Sequence, residues 1–242
     1  MYQPLGDLLI TQQYNGTPTN YYRDLNISNA TATTSFSADG ITYTRQLFAT
    51  AADKAIIIKL TSSKTGALNF IINVSHELQY DKIVDANKEL ILKGKARINN
   101  DERRKPKPII FEDAKHEYGM RFQFRVKVLN KDGELLSTDT SLIIKNATEV
   151  IVYLTAATSF NGYDKFPDKD GKDENALALQ YMNGVSKKSF EQLITAHKKD
   201  YQQYFNRLSL QLEKNEKNDL PTDARLADYK KGIADLGLEE IY

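Results

Sequence analysis

Residues Glu149–Thr158 read EVIVYLTAAT, the most apolar strand candidate in the chain. Branched and aromatic side chains favour an extended backbone, and this composition suits the middle of a sandwich. Upstream lies a series of further short strands with turn signals between them. Ala55–Thr61 (AIIIKLT) is apolar enough to be central as well. Ala30–Phe36 and Ile41–Ala49 flank Ala38-Asp39-Gly40, which predicts a hairpin. Gly6–Ile10, Tyr21–Ile27 and Ala67–Ser75, the last entered through Lys64-Thr65-Gly66, read as strands too. Glu89–Ala96 and Met120–Leu129 flank a stretch at 97–117 with few apolar positions, which reads as a long loop. Asn130-Lys131-Asp132-Gly133 is a strong turn and predicts a hairpin between GMRFQFRVKVL and ELLSTDTSLIIK.

Downstream the period changes. Ser159–Glu174 is a loop, and Ala176–Met182 reads as a short helix. Ser189–Leu208 (SFEQLITAHKKDYQQYFNRL) carries Phe190, Leu193, Ile194, His197, Tyr201, Tyr204, Phe205 and Leu208 at the spacing of a helical stripe. Ser189 and Gln192 have capping-box spacing. Pro221 stands ahead of a Thr222 cap for a helix over Asp223–Lys231, and Leu238–Tyr242 begins another. The expected architecture is therefore mainly β with C-terminal α: an antiparallel sandwich over 1–162 and a helical segment over 163–242.

A chain of 242 residues buries roughly 70–75% of its unfolded surface on folding, so neither metal nor disulfide is needed to hold it together. There is no Cys, which removes disulfides, thiolate zinc sites and Cys nucleophiles. Thirty-three Lys and Arg against 32 Asp and Glu give a net charge of +1, so no overall attraction to nucleic acid or membrane is expected. No apolar run approaches the length of a membrane helix, and the start of the sequence has no leader pattern. Fourteen Tyr and no Trp read mostly as packing of half-buried strand faces.

Candidate chemistry is sparse. Asp164, Asp168, Asp170, Asp173 and Glu174 resemble part of a calcium loop, but the remaining spacing is missing. Lys165, Lys169 and Lys172 offset the charge an ion would need, so a solvated loop is the better reading. Lys93, Lys95, Arg97, Arg103, Arg104, Lys105 and Lys107 form a basic run without interleaved aromatics, again a solvated loop. His76, His116 and His197 have no second His at metal-ligand spacing, and His197 reads as a core histidine with one hydrogen-bond partner. No nucleophile elbow, phosphate loop or dinucleotide fingerprint occurs. Five Asn-x-Ser/Thr sequons, at Asn15, Asn26, Asn29, Asn73 and Asn146, are close to the chance number of about three. These residues alone leave open a carbohydrate-binding module, an adhesion domain or an accessory domain of something larger.

Six segments in order narrow the choice. YQPLGDLLI (Tyr2–Ile10), YYRDLNISNATATTSF (Tyr21–Phe36) and DGITYTRQLFAT (Asp39–Thr50) resemble the N-terminal domain of glycoside hydrolase family 95, the α-L-fucosidases and their α-L-galactosidase relatives. YLTAATSFNGYD (Tyr153–Asp164), HKKDYQQYFNRLSLQL (His197–Leu212) and LPTDARLADYKKG (Leu220–Gly232) resemble later segments of that family in the same order, and Leu238–Tyr242 resembles its approach to the catalytic barrel. The resemblance implies a large exported bacterial enzyme with an N-terminal β-supersandwich, a helical linker, an (α/α)6 barrel and a C-terminal β-domain. It implies inverting hydrolysis of terminal α-linked fucose by a Glu acid and an Asp that activates water with Asn partners. All of those residues belong to the barrel, so no catalytic, cofactor-binding or metal-ligating residue is assigned here. The expectation is a piece cut at both ends, inactive alone, reaching its glycan substrate through the parent's barrel and located in the periplasm or outside the cell. Open sheet edges or the stripe at Tyr201, Tyr204 and Phe205 are the surfaces a homodimer would use. The competing reading is a free-standing sugar-binding sandwich using Tyr14, Tyr21 and Tyr163.

Overall fold

The computed structural model describes residues 4–99, 108–210, 212, 217 and 219–241. The chain divides into two compact units, Met1–Tyr201 and Gln202–Tyr242. The first unit contains β1 (Asp7–Gln13), β2 (Thr19–Asn26), β3 (Thr31–Ala38), β4 (Ile41–Thr50), β5 (Ala55–Ser62), β6 (Leu68–Ser75), β7 (Tyr80–Val84), β8 (Leu90–Lys95), β9 (Arg121–Asn130), β10 (Glu134–Ser137), β11 (Leu142–Ala147), β12 (Glu149–Thr158) and α1 (Glu174–Val185). Helix α2 (Phe190–Phe205) begins in it and runs past its boundary. The compact division thus falls later than the change of sequence period at 162–163.

The strands form an antiparallel sandwich. One sheet has eight strands in the order β2-β3-β4-β5-β12-β9-β8-β7, the other four in the order β1-β6-β11-β10. Phe36, Tyr43, Leu60, Val126, Val150 and Val152 of the larger sheet share one core with Phe70, Ile72, Val74, Leu142 and Ile144 of the smaller. A second core includes Phe48, Ile57, Ile151 and Tyr153 of the larger sheet together with Met182 and Val185 of α1 and Phe190 and Leu193 of α2.

These two cores explain the opening stretch. In β12, Val150 and Val152 enter the sandwich while Ile151 and Tyr153 meet the helices. Both faces are covered, so polar alternation is absent. Each such side chain contributes about 1.5–3 kcal/mol by leaving water. Thr155, the buried polar residue on the helix side, is satisfied by donating to the carbonyl of Ala178 at 3.0 Å.

The turn at Asp39-Gly40 joins β3 and β4 as expected, with both φ angles positive, at 52° and 71°, as a tight two-residue hairpin requires. The turn at Asn130–Gly133 closes no hairpin, contrary to the sequence expectation. Strand β9 is flanked by β8 and β12, whereas β10 pairs only with β11 in the other sheet. The chain crosses between sheets here, and Asp132 ties the turn to the far connection by accepting from the backbone and hydroxyl of Thr148, both at 2.6 Å. Strand β7 carries no apolar run and escapes a sequence reading.

The helices begin where their caps allow. Asp173 accepts from the backbone of Asn175 and Ala176, both at 2.9 Å, so α1 starts at Glu174 rather than Ala176. The capping box of α2 forms as expected: the backbone of Ser189 donates to Gln192 at 2.8 Å, and that of Gln192 to the Ser189 hydroxyl at 3.2 Å. The apolar stripe is buried at Phe190, Leu193 and His197, half-buried at Tyr201, and exposed at Tyr204 and Phe205. His197 is the expected core histidine. It stacks on Phe48 at 4.9 Å, and its Nε2 lies 3.0 and 3.1 Å from the carbonyls of Asn29 and Ala30.

In the second unit, α3 (Thr222–Tyr229) and α4 (Leu236–Ile241) are joined by a buried ion pair in which Arg225 donates two hydrogen bonds to Asp235, at 3.0 and 2.7 Å. Thr222 is the first helical residue and not the cap, because Pro221 already occupies the cap position with an extended backbone. Tyr242 lies outside the described residues. No described helix is long and apolar enough to cross a membrane.

Candidate functional site

Strand register sorts the loops to two ends of the sandwich. At one end, β8 finishes at Lys95 opposite Arg121, and β12 finishes at Thr158 opposite Phe122. The loop entering β9 and the loop leaving β12 therefore emerge side by side.

Ion pairs tie these loops together. Lys95 Nζ lies 2.6 Å from both Glu112 and Asp168. Arg121 donates to the Asp168 carboxylate, to the Asp168 carbonyl at 2.6 Å and to Glu174 at 3.1 Å. Lys169 lies 3.5 Å from Glu117. Backbone groups follow the same path: Asp168 donates to the Glu117 carbonyl, Ser159 donates to the Arg121 carbonyl, and the Arg121 N–H donates to the Ser159 hydroxyl. Burial raises the Asp168 carboxyl, but the hydrogen bonds from Lys95 and Arg121 outweigh it and hold that group below the ordinary carboxylate range. Glu112 is lowered by its bonds from Lys95 and His116. Asp113 is lowered chiefly by the backbone of Tyr118, and it also accepts from Glu117. Burial opposes the charge of Lys95, yet its two carboxylate partners raise its pKa.

The acidic loop is thereby accounted for residue by residue. Asp168 and Glu174 serve Arg121, Asp170 accepts from the Phe166 backbone at 3.4 Å, Asp173 caps α1, and Asp164 faces Lys165 at 3.5 Å. The loop is internally bonded more than it is solvated. Ligand atoms of Glu112, His116 and Asp168 do lie within 4.8 Å of one another. Lys95 already matches both carboxylates, so a divalent ion would meet an ammonium at contact distance. The trio carries no metal assignment.

The basic run divides. Lys93 is exposed on β8, while Lys95, expected in a solvated loop, is a half-buried ion-pair centre. Arg103, Arg104, Lys105 and Lys107 lie outside the described residues. His76 stacks on Phe122 at 4.6 Å and accepts from the backbone of Leu78, a packing role. His116 is exposed beside Glu112. Sequence reading missed the Lys95–Asp168–Arg121 connection because its members lie far apart in the chain and meet only through β-sheet register.

Beyond this ionic layer, aromatic side chains face water. Tyr163 is 99% exposed and Phe160 53%, and Tyr118 meets Phe166 edge-on at 5.3 Å. Tyr14 and Tyr21 lie at the opposite end, near Arg45, whose pKa is lowered by burial. The three tyrosines suggested for sugar stacking thus do not form one surface.

Comparison with known proteins picks out two successive stretches of the chain. The description "Glycosyl hydrolase family 65, N-terminal domain" matches residues 1–163. The chain belongs to that family. The family 65 N-terminal domain thus covers both sheets and ends at Tyr163, on the aromatic loop. Residues 189–242 match a second description, the glycosyl hydrolase family 95 catalytic domain. Alpha-L-fucosidase 2 of Arabidopsis thaliana is 26% identical over 230 residues, 90% of this chain and 27% of that protein. The chain thus spans about a quarter of that relative. A putative kojibiose phosphorylase from the human microbiome superposes with a TM-score of 0.51 at 11% identity, over 82% of this chain and 27% of the other, a likeness of fold.

Proposed function

We propose that this chain is the sandwich and connector portion of a glycoside hydrolase that removes terminal α-L-fucosyl or α-L-galactosyl groups, and that it does no chemistry by itself. One observation carries the reading: a sandwich-domain match and a catalytic-domain match succeed each other in a single chain. The fucosidase relative supplies the sugar class. In this reading, the ion-paired end holds Phe160 and Tyr163 at a fixed height above the sheet, so that a catalytic domain or its glycan meets a preformed aromatic surface. Strand ends, rather than long flexible loops, set that height. The supporting chemistry is that each carboxylate of the loop is already engaged by a cation or a backbone N–H, which leaves no acid and base poised about a bond.

The test uses an aryl α-L-fucoside. The 242-residue chain is expected to be inert, and the chain extended through a family 95 catalytic domain is expected to release the aryl alcohol. Turnover by the shorter chain, abolished by substitution of its own carboxylates, would overturn the proposal.

A further inference from the structure

We infer a saccharide-binding cleft at the end of the sandwich opposite the ion-paired loops. The cleft is an open depression of about 520 Å³ where the end of β1, the β3–β4 hairpin and the entry to β6 converge. It is lined by Gln12, Tyr14, Asn15, Asp39, Lys64 and Asn69, among others. A volume of this order admits one or two sugar rings.

Its floor is prebuilt. Tyr14 packs against Phe36 at 5.3 Å and Tyr43 at 6.2 Å, and Phe36 and Tyr43 stack on each other at 5.3 Å. Arg45 lies over Phe36 at 5.8 Å and donates to Gln12 at 2.7 Å. Phe36 and Tyr43 are buried, whereas Tyr14 keeps 40% exposure. A tyrosine held from beneath by two rings loses little further freedom on binding, which favours it as a stacking platform.

The rim is uncommitted. Among the described residues, the side chains of Gln13, Asn15, Asp39 and Lys64 make no hydrogen bond or ion pair. At the other end Lys95, Arg121, Glu112, Asp168 and Glu174 are all held in ion pairs. An amide offers both donors and acceptors, a carboxylate accepts two hydroxyls, and an ammonium donates, which together match adjacent sugar hydroxyls. Asp39 and Lys64 bring opposite charges, so the ligand class is a neutral pyranoside rather than an acidic sugar or a phosphate. This inference does not depend on which sugar a parent enzyme cleaves.

The test is a titration of the 242-residue chain with methyl α-L-fucoside and, separately, methyl α-D-glucoside, monitored by backbone amide NMR. Saturable shifts are expected at residues 12–15, 39–43 and 64–69, with a Kd on the order of 1 mM for at least one glycoside. Tyr14→Ala is expected to weaken binding about tenfold by removing the platform. Asp39→Asn keeps a residue that tolerates the positive φ of 52° and is expected to weaken binding several-fold by removing the carboxylate. Absence of saturable shifts with both glycosides overturns the inference. So does undiminished affinity in both variants, and so do shifts confined to residues around Tyr163.

Discussion

The two ends of the sandwich make opposite use of polar side chains. At the end where β9 starts and β12 stops, carboxylates and cations are paired with one another, and the aromatic residues stand outside in water. At the other end, aromatic rings are packed beneath, and among the described residues the side chains of Gln13, Asn15, Asp39 and Lys64 stand free around a cleft. Paired charges make a rigid support, because removing either member strands the other. Uncommitted amides and charges make a surface able to exchange water for hydroxyl groups. The difference teaches that residue type alone does not mark an open polar surface: the ionic end has far more charge, yet its charges are largely spent on one another.

The comparison breaks most sharply at Arg121. Arg121→Ala leaves Asp168 and Glu174, whose side chains are 13% and 10% exposed, without their shared partner. A loss of about 2–3 kcal/mol in urea unfolding is expected, with faster amide exchange in the loops around residues 113–118 and 164–172. An unchanged midpoint would show the ionic end to be a solvated surface after all. Acid probes the same contrast without mutation. The folded pKa of Asp168 and Glu112 is depressed, so their contribution is complete above the ordinary carboxylate value of about 4 and is lost as pH falls through the lowered folded values. Amide exchange at the ionic end is therefore expected to accelerate in that acid range before it does around the Tyr14 cleft.

A smaller effect lies near the start of β9. Gln123 is fully buried, and both its side-chain polar atoms lack a partner among the described residues. Gln123→Met is expected to stabilise the fold by about 1 kcal/mol, read as a raised unfolding midpoint, because an unsatisfied amide costs more than an apolar side chain of similar length. The smallest effect belongs to Tyr163. With 99% exposure it supports nothing in this chain, and Tyr163→Ser is expected to move stability by less than about 0.5 kcal/mol in the same assay. A larger loss would mean that the aromatic loop packs in solution.

Much of the framework was legible because it is written locally. The run at β12, the Asp39-Gly40 hairpin and the Ser189–Gln192 box each need only neighbours in sequence. The misread hairpin at Asn130–Gly133 shows the limit, since a strong turn fixes a reversal of direction but not which sheet receives the next strand. The ionic end was illegible for a related reason. Lys95 sits in what reads as a solvated basic run, and its partner Asp168 belongs to a different loop, so only the alignment of β8, β9 and β12 makes them a pair. The cleft draws its lining from separate turns, each ordinary by itself. The family resemblance was carried by ordered segments rather than by any single motif, and it reached the domain while leaving both ends unread.

The placement of β12 has a consequence for how the chain acquires its shape. It is the last of the described strands to be made, yet it lies between β5 and β9 in the larger sheet. Until Glu149–Thr158 has left the ribosome, that sheet exists as two half-sheets, each with an open edge formed by one of those apolar strands. Closing them requires contacts across a long loop of chain, the kind that slows folding and leaves intermediates open to association. A stall or cut before residue 149 would therefore release a species with two adhesive edges, whereas a cut after 158 would release a sheet already joined through its middle.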